Sequence, residues 1–272
     1  MNPPRGESEL RLLLDAIHLR YHYDFRNYAM DSLARRVEAA RTRMACASIT
    51  ALQERILRDG RSFTQLLSFL TVQVSEMFRD PSFFKTFRER IVPTLATYPS
   101  LRLWIAGCSS GEEVYSFAIV LREEGLLERT TIYATDINGS ALEKAEAGIY
   151  AIDRIPGFTE NHRASGGPCS LSTYYSAAYG SAIFDRTLRA KVVFSDHSLA
   201  TDNVFAEVHV VSCRNVLIYF DRELQARALG VMKDALIARG YLGIGPKESI
   251  RFSPHRAELE PFVESERWYR KR

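Results

Sequence analysis

The sequence predicts an α/β protein, with an open parallel sheet preceded by a helical domain. The clearest observation lies in residues 101–121, where the apolar run LRLWIA is followed by a turn of small residues and a helical repeat. This order of strand, turn and helix is typical of the units that build a nucleotide-sized pocket at the carboxyl end of a parallel strand. Residues 8–70 instead show only helical periodicity. Later apolar runs at 130–135, 191–195 and 208–211 have the length of buried strands.

The turn after the first strand combines glycines with acidic residues. Gly107 and Gly111 frame the segment GCSSG, and Glu112 and Glu113 then begin the helix. A phosphate pocket would place an anion at this helix start, and two carboxylates there would repel it. The pair suits a ligand with hydroxyls and positive charge, such as a nucleoside that carries an amine or a sulfonium. The alternative interpretation is an ordinary strand–helix unit without a ligand.

The second strand of the predicted sheet ends in an acidic residue. Asp136 follows TTIYAT and lies 25 residues after Gly111. An acid at the end of the second strand of a Rossmann-like unit typically binds ribose hydroxyls. The alternative is that Asp136 is the N-cap of the helix that contains Leu142 and Ala145.

Polar residues also end the strand at 208–211, where the sequence continues Ser-Cys-Arg-Asn through Asn215. In open α/β sheets such residues face the ligand crevice. Asp221 is the predicted N-cap of the next helix, and Gly240 is its predicted C-terminal stop. Two final strands are predicted in YLGIG and in FVESERWYRK.

The composition excludes several classes of protein. The hydrophobic fraction of 46% and the charged fraction of 25% are those of a globular protein. A formal net charge of +3 is too small to indicate nucleic-acid binding. The sequence has no run of about 18 apolar residues, so we expect no membrane insertion. The four cysteines are far apart, which disfavours a metal site and fits reduced thiols in a cytoplasm.

The second predicted helix has a basic face. Its apolar stripe contains Leu33 and Val37, and its other positions carry four arginines against two acids. A solvated surface is one interpretation, and a docking surface for an acidic helical partner is the other. The four arginines are Arg35, Arg36, Arg41 and Arg43.

Two other stretches lack a clear repeat, and a third contains the start of a helix. The segment ITALQERILRDGRS, residues 49–62, is predicted as a connection, and Asp80-Pro81 as the N-cap and first residue of a helix. Residues 151–190 are rich in glycine, serine and tyrosine, which predicts a loop with a short inserted hairpin.

Four motifs together resemble one known family: SEMFRDP with Arg79, AGCSSGEEVYS, YATDIN with Asp136, and SCRNVLIYFD with Asn215. This set resembles the CheR family, the S-adenosylmethionine-dependent methyltransferases that modify glutamate residues of chemotaxis receptors. The resemblance covers about residues 8–270.

The resemblance implies a class I Rossmann-like methyltransferase sheet with an N-terminal helical domain. The helical domain would occupy residues 1–78 and the methyltransferase domain residues 79–272. A small antiparallel β-subdomain would be inserted at about residues 155–190. The cofactor would be S-adenosyl-L-methionine, with S-adenosylhomocysteine as the product.

The resemblance also assigns site residues. Arg79 and Tyr219 would be catalytic, and Glu113 is favoured over Glu112 as a cofactor ligand. The sequence has Gln73-Val74-Ser75 where the family has Asn-x-Thr, and Ser198-Leu199 where it has Asn-Leu. The matched cofactor positions are Gln73, Ser75, Arg79, Gly107, Glu112, Glu113, Asp136, Ile137, Ser198, Leu199, Asn215 and Val216.

The implied reaction is methyl transfer to glutamate carboxylates of chemoreceptors (methyl-accepting chemotaxis proteins). The nucleophile is already ionised at neutral pH, so no general base is required. The expected partner is the cytoplasmic helical domain of a membrane chemoreceptor. This domain would dock on the four arginines of the second helix. We expect a cytoplasmic monomer. The alternative is a signalling module that binds adenosylmethionine without catalysis.

Overall fold

A computed structural model of the chain describes residues 5–272. Its first part is a bundle of helices, which form because apolar residues recur every three or four positions and bury one stripe of each helix. Leu13, Val37 and Leu66 are fully buried in the common core. The predicted N-terminal helical domain is therefore confirmed. Its helices are α1 (Arg5–Tyr21), α2 (Met30–Arg43), α3 (Ile49–Arg58) and α4 (Gly60–Leu70).

The prediction that residues 49–62 are a connection is wrong. They form α3 and the first turn of α4, and Leu52 and Ile56 of α3 are fully buried. The hydroxyl of Ser48 accepts a hydrogen bond from the Ala51 N–H (3.0 Å), which caps α3. Asp59 caps α4 in the same way. The polar residues of this segment thus mark a junction between two helices.

The remainder of the described chain contains ten strands. They are β1 (Leu101–Ala106), β2 (Thr130–Asp136), β3 (Ile149–Ala151), β4 (Tyr175–Ala178), β5 (Ser181–Phe184), β6 (Val192–Asp196), β7 (Val208–Cys213), β8 (Leu236–Ile244), β9 (Leu259–Val263) and β10 (Trp268–Lys271).

Seven of these strands form the main sheet, in the order β6-β2-β1-β7-β8-β10-β9. The first five are parallel, and β10 runs antiparallel to both of its neighbours. The strand order reverses at β1, which has β2 on one side and β7 on the other. Such a reversal opens a crevice at the carboxyl ends of the strands. The predicted Rossmann-like sheet is confirmed.

Helices cover both faces of the sheet, and β1 shows how the sequence builds the two layers. Leu103 and Ile105 enter one buried cluster, and Trp104 and Ala106 enter another, because successive side chains of a strand point to opposite faces. The helices of this part are α5 (Pro81–Thr86), α6 (Val92–Leu95), α7 (Glu112–Glu123), α8 (Gly139–Ala147), α9 (Ile155–Ala164), α10 (Arg186–Arg189) and α11 (Arg222–Ala235). None of the helices within residues 5–272 is long and apolar enough to cross a membrane.

A second, antiparallel sheet has the order β3-β5-β4. Its first strand, Ile149–Ala151, precedes the range predicted for the insertion. The segment between β3 and β4 also contains α9, although these residues were predicted to form a loop. Pro156 and Gly157 near the start of α9 obscure its short apolar repeat of Ile155 and Phe158.

Of two predicted helix boundaries, the start at Asp80-Pro81 is confirmed in position and the end at Gly240 is wrong. Asp80 precedes α5 as expected, but its φ is 55° and its carboxylate makes no capping hydrogen bond. That carboxylate pairs with Arg214 (2.7 Å). Gly240 does not end α11, which stops at Ala235, and lies instead within β8. By contrast, Asp221 caps α11 as predicted, accepting a hydrogen bond from the Leu224 N–H (2.9 Å).

Gly148, between α8 and β3, offers a test of how closely this turn packs against Tyr115 of α7. Its φ is 64°, and a Cβ there would lie 2.1 Å from the Tyr115 hydroxyl oxygen. We predict that Gly148→Ala lowers the free energy of unfolding by about 1–3 kcal/mol, because it adds backbone strain and a steric clash. Urea unfolding followed by circular dichroism measures the change.

Gly139→Ala is the matched control. Gly139 is the first residue of α8, and no heavy atom lies within 4 Å of its added Cβ. This variant should keep or slightly raise the stability, by up to about 1 kcal/mol. Equal unfolding midpoints for the two variants would contradict the prediction.

Candidate functional site

A cavity opens at the carboxyl ends of β1, β2 and β7, where the strand order reverses. Its volume is about 930 Å³, counted to its open mouth. The helical domain contributes Tyr28, Arg36 and Leu70 to one wall, and the segments after the strands form the other walls. The predicted residues that line it are Gln73, Ser75, Arg79, Gly107, Glu113, Asp136, Ile137, Leu199, Asn215, Val216 and Tyr219.

The small-residue turn after β1 brings backbone close to the cavity. The N–H groups of Gly107 and Cys108 both donate to the carbonyl oxygen of Thr135, at 2.8 and 2.9 Å, which ties the turn to β2. Gly107 has a φ of 75°, and a Cβ there would lie 2.4 Å from Val216. Only glycine fits this position without displacing a side chain that lines the cavity.

Asp136 stands at the end of β2 with both carboxylate oxygens in use. One oxygen accepts from the Ser109 N–H (2.8 Å) and the other from the Asn138 N–H (2.9 Å). Burial raises the pKa of the Asp136 carboxyl despite these two bonds. The N-cap of α8 is Asn138, whose side chain accepts from Ser140 and Ala141, so the alternative role for Asp136 is excluded. A carboxylate has about four acceptor positions, which leaves two for ligand hydroxyls.

The two glutamates at the start of α7 have different surroundings. Glu112 is completely buried, and its carboxylate binds Arg154 (2.6 Å) and the Ser110 hydroxyl (2.7 Å) outside the cavity lining. Glu113 lines the cavity, and its carboxylate accepts from the Ser212 hydroxyl (2.6 Å) and from Arg214 (3.0 Å). Adjacent residues of a helix differ by about 100° in direction, which explains the separation.

Arg214 lies at the centre of this side of the site. The sequence predicts that it faces the crevice with the other polar residues after the strand at 208–211, but it predicts no specific contacts for it. It is 6% exposed, and its guanidinium also donates to the Arg79 carbonyl oxygen (2.7 Å) and to Asp80 (2.7 Å). The guanidinium carbon lies 4.1 Å from the ring centroid of Phe83. These contacts fix the backbone of Arg79 beside Glu113, so that the Arg79 side chain lines the cavity.

The segment that joins the two domains is held to the turn after β1. The side-chain oxygen of Gln73 accepts from the Ser109 hydroxyl (3.0 Å), and Asn138 donates to the Thr71 hydroxyl (2.8 Å). The guanidinium of Arg154 donates to the carbonyl oxygen of Ser75. Residues 71–76 therefore form a wall of the cavity without regular secondary structure.

After β6, the cavity is lined by Leu199 and by His197, which is not among the cofactor positions that the family resemblance matched. Ser198 lies outside the lining, and its hydroxyl accepts from the Ala200 N–H (3.3 Å) in a local turn. The His197 ring packs edge-on against Trp104, at 5.2 Å between centroids.

Asn215 and Tyr219 are placed by the segment after β7. Asn215 has a φ of 59°, and its N–H donates to Glu248 (3.1 Å). Glu248 also accepts from the N–H groups of Gly245 (2.6 Å) and Ile218 (3.3 Å). Burial raises the pKa of the Glu248 carboxyl. This buried acid sets the path of a loop that lines the cavity, although no local sequence pattern identified it.

The arginines of α2 do not share one open face. Arg35 and Arg43 are exposed, whereas Arg41 bonds Glu38 (2.5 Å) and the Cys46 carbonyl oxygen (2.8 Å). Arg36 turns towards the cavity and lines it. The predicted four-residue docking surface is thus reduced to Arg35 and Arg43 as freely exposed charges.

The donors and acceptors of the cavity fit the expected cofactor. Asp136 can accept from ribose hydroxyls, Glu113 can accept from an amino group, and Arg79 can bind a carboxylate. Within residues 5–272, no cluster of histidine, cysteine, aspartate or glutamate could hold a metal ion.

Comparisons with known proteins agree with this geometry. The all-α domain of CheR methyltransferases matches residues 8–71, and the SAM-binding domain of CheR methyltransferases matches residues 73–265. "Putative methyltransferase Cher3" of Pseudomonas putida is 55% identical over 265 residues, which are 97% of each chain. The chemotaxis protein methyltransferase of Listeria innocua is 31% identical over 195 residues, or 71% of each chain.

Among solved structures, magnesium protoporphyrin IX methyltransferase of Synechocystis PCC 6803 with bound SAM aligns with a TM-score of 0.35 and 14% identity. The alignment covers 69% of this chain and 72% of that one. The two domain matches extend over both the helical domain and the cavity-forming sheet. The chain therefore belongs to the CheR family of methyltransferases, and its cofactor is S-adenosylmethionine.

Proposed function

We propose that this methyltransferase transfers a methyl group to glutamate side chains of chemoreceptors, forming glutamate methyl esters. The observation that carries the proposal is that Arg79 and Tyr219 line the same cavity as Asp136 and Glu113. Groups suited to the cofactor and groups suited to a carboxylate substrate thus share one site. Relatives named chemotaxis protein methyltransferase support receptors as the substrate class. The enzyme would act in the cytoplasm, on the helical domain of the receptor.

The cofactor supplies a methyl group on a positively charged sulfonium sulfur. Asp136 would accept hydrogen bonds from the ribose hydroxyls at the end of β2. Glu113 would hold the amino group, with its own carboxylate oriented by Ser212 and Arg214. We favour Glu113 over Glu112 because the carboxylate of Glu112 is bound to Arg154 outside the cavity lining.

The protein's main task would be to align two reactants. The attacking γ-carboxylate is ionised at neutral pH, since its reference pKa is about 4.3, so no residue has to remove a proton. Arg79 would orient this carboxylate with its planar guanidinium, and Tyr219 would limit the directions from which it reaches the methyl group. Correct positioning can lower a barrier by roughly 7–11 kcal/mol in favourable cases.

A direct assay tests the proposed function. The protein is incubated with S-adenosylmethionine labelled in the methyl group and a helical receptor fragment that contains acceptor glutamates. We predict base-labile label on the receptor, because a carboxyl methyl ester releases methanol in mild base. Arg79→Ala should lower the rate about 100-fold or more at saturating cofactor, through loss of alignment.

A fragment with its acceptor glutamates changed to alanine is the control and should remain unlabelled. Cofactor binding without any label on the host's receptors would support the alternative, a signalling module that binds adenosylmethionine without catalysis.

The two glutamates at the start of α7 provide a matched pair of variants. Glu113→Gln should weaken S-adenosylhomocysteine binding about 10- to 100-fold, because a charged hydrogen bond to the amino group is lost. Glu112→Gln should change the affinity by less than about 3-fold, because Glu112 lies outside the cavity lining. Isothermal titration calorimetry measures both, and the reverse ranking would move the cofactor contact to Glu112.

The exposed charges of α2 give a further prediction. Reversing both Arg35 and Arg43 to glutamate should raise the KM for the acidic receptor about 3- to 10-fold at low salt, with less effect at high salt. Arg58→Glu on α3 is the control, since Arg58 is exposed and pairs with the nearby Glu54 on its own helix. An unchanged KM at low salt would show that receptors do not dock on α2.

A further inference from the structure

Arg36 connects the helical domain to the catalytic wall of the cavity. It projects from α2, and its Nη1 donates to the carbonyl oxygen of Leu70 (2.7 Å) at the end of α4. Its guanidinium carbon lies 4.5 Å from the ring centroid of Tyr219. Both Arg36 and Tyr219 line the cavity. The arginine is therefore held between a helix end and an aromatic ring.

The backbone makes a second connection at the same place. The Ala29 N–H, at the start of α2, donates to the Tyr219 carbonyl oxygen (2.8 Å), and the Asp221 N–H donates to the Asn27 carbonyl oxygen (2.9 Å). Tyr28 and Phe220 form a single antiparallel bridge, with their rings 5.0 Å apart. Hydrogen bonds from the helical domain thus fix the backbone around Tyr219. The orientation of the Tyr219 ring depends on the side chains that pack against it.

Arg36 is suited to fix that ring. The last carbonyls of an α-helix have no partner within the helix, and together they carry partial negative charge. A guanidinium bound to the Leu70 carbonyl is anchored there, and its flat face attracts the electron-rich face of an aromatic ring. Arg35 and Arg43 on the same helix are exposed, so position on α2 alone does not confer this contact.

We propose that Arg36 is a positioning residue, which holds the Tyr219 ring against the cofactor cavity and makes α2 part of the cofactor site. Its effect on turnover rests on the proposed function, through the part assigned to Tyr219. Its effect on cofactor binding does not, because that can be measured without a methyl acceptor. The helical domain then contributes to binding and catalysis in addition to any contact with the receptor surface.

A double-mutant cycle on S-adenosylhomocysteine binding tests the contact. The variants are Arg36→Met, which keeps an unbranched side chain without charge, Tyr219→Leu, which removes the ring, and the combination of both. We expect Arg36→Met to weaken binding about 3- to 30-fold in the parent protein, the range of a cation–π contact. In the Tyr219→Leu background the same change should have less than about a 2-fold effect. Calorimetry gives the four affinities.

Two variants complete the design. Arg36→Lys keeps the positive charge over the ring and should recover part of the affinity, which also covers the case that Arg36→Met does not fold. If Arg36→Met does not fold, a double-mutant cycle of Arg36→Lys with Tyr219→Leu decides the result. Arg58→Met on α3 removes an exposed arginine that does not line the cavity, and this variant should bind like the parent.

With a receptor fragment, Arg36→Met should lower kcat while the KM for receptor changes by less than about 2-fold. A salt-dependent rise in receptor KM, with unchanged kcat and unchanged cofactor affinity, would make Arg36 a docking residue and overturn the inference. If the combined variant weakens cofactor-product binding by the product of the two single effects, the two residues act independently, and the inference is overturned as well. If the parent protein esterifies no receptor, the proposed function fails, and the binding cycle still decides this inference.

Discussion

The site depends on one buried charge, the guanidinium of Arg214. A charged group with 6% exposure is costly to bury unless it is paired. The Nη1 and Nη2 atoms of Arg214 reach Glu113, Asp80 and the Arg79 carbonyl oxygen, whereas its Nε has no partner among the described residues. These three acceptors come from the start of α7, from the left-handed residue before α5 and from the residue that precedes it. The hydrogen bonds and ion pairs of Arg214 thus hold the two segments that carry Arg79 and Glu113 at the end of β7.

The helical domain forms part of the cavity wall, in addition to the exposed surface that it presents on α2. Tyr28, Arg36 and Leu70 line the cavity, and the backbone of residues 27–29 bonds to residues 219–221. On the other side, Arg154 of the segment after β3 holds both Glu112 and the Ser75 carbonyl oxygen. The cavity is therefore lined by both domains and supported from outside by Arg154, so its geometry depends on how these parts pack.

Sequence patterns predicted the elements whose signals are local. The strand of residues 101–106, its glycine turn and Asp136 were all predicted, because a short apolar run and the polar residues at a strand end are visible within a few positions of the sequence. The missed features have non-local causes. Asp80 looks like a cap but pairs with Arg214, which is 134 residues away in the chain. Gly240 looks like a helix stop, but it lies within β8, where an added Cβ would lie only 3.1 Å from the carbonyl oxygen of His209.

The sequence by itself determined the fold class, the family and the edge of the sheet where the cavity opens, since parallel strands bring their carboxyl ends together whatever the details of packing. Only the tertiary structure decided which of two neighbouring side chains faces the cavity. Glu113 and Arg36 point into it, whereas Glu112 is buried beside Arg154 and Arg35 is exposed. Successive residues of a helix point about 100° apart, so the choice depends on how α7 is rotated against the sheet and how α2 is rotated against the other helices of its domain.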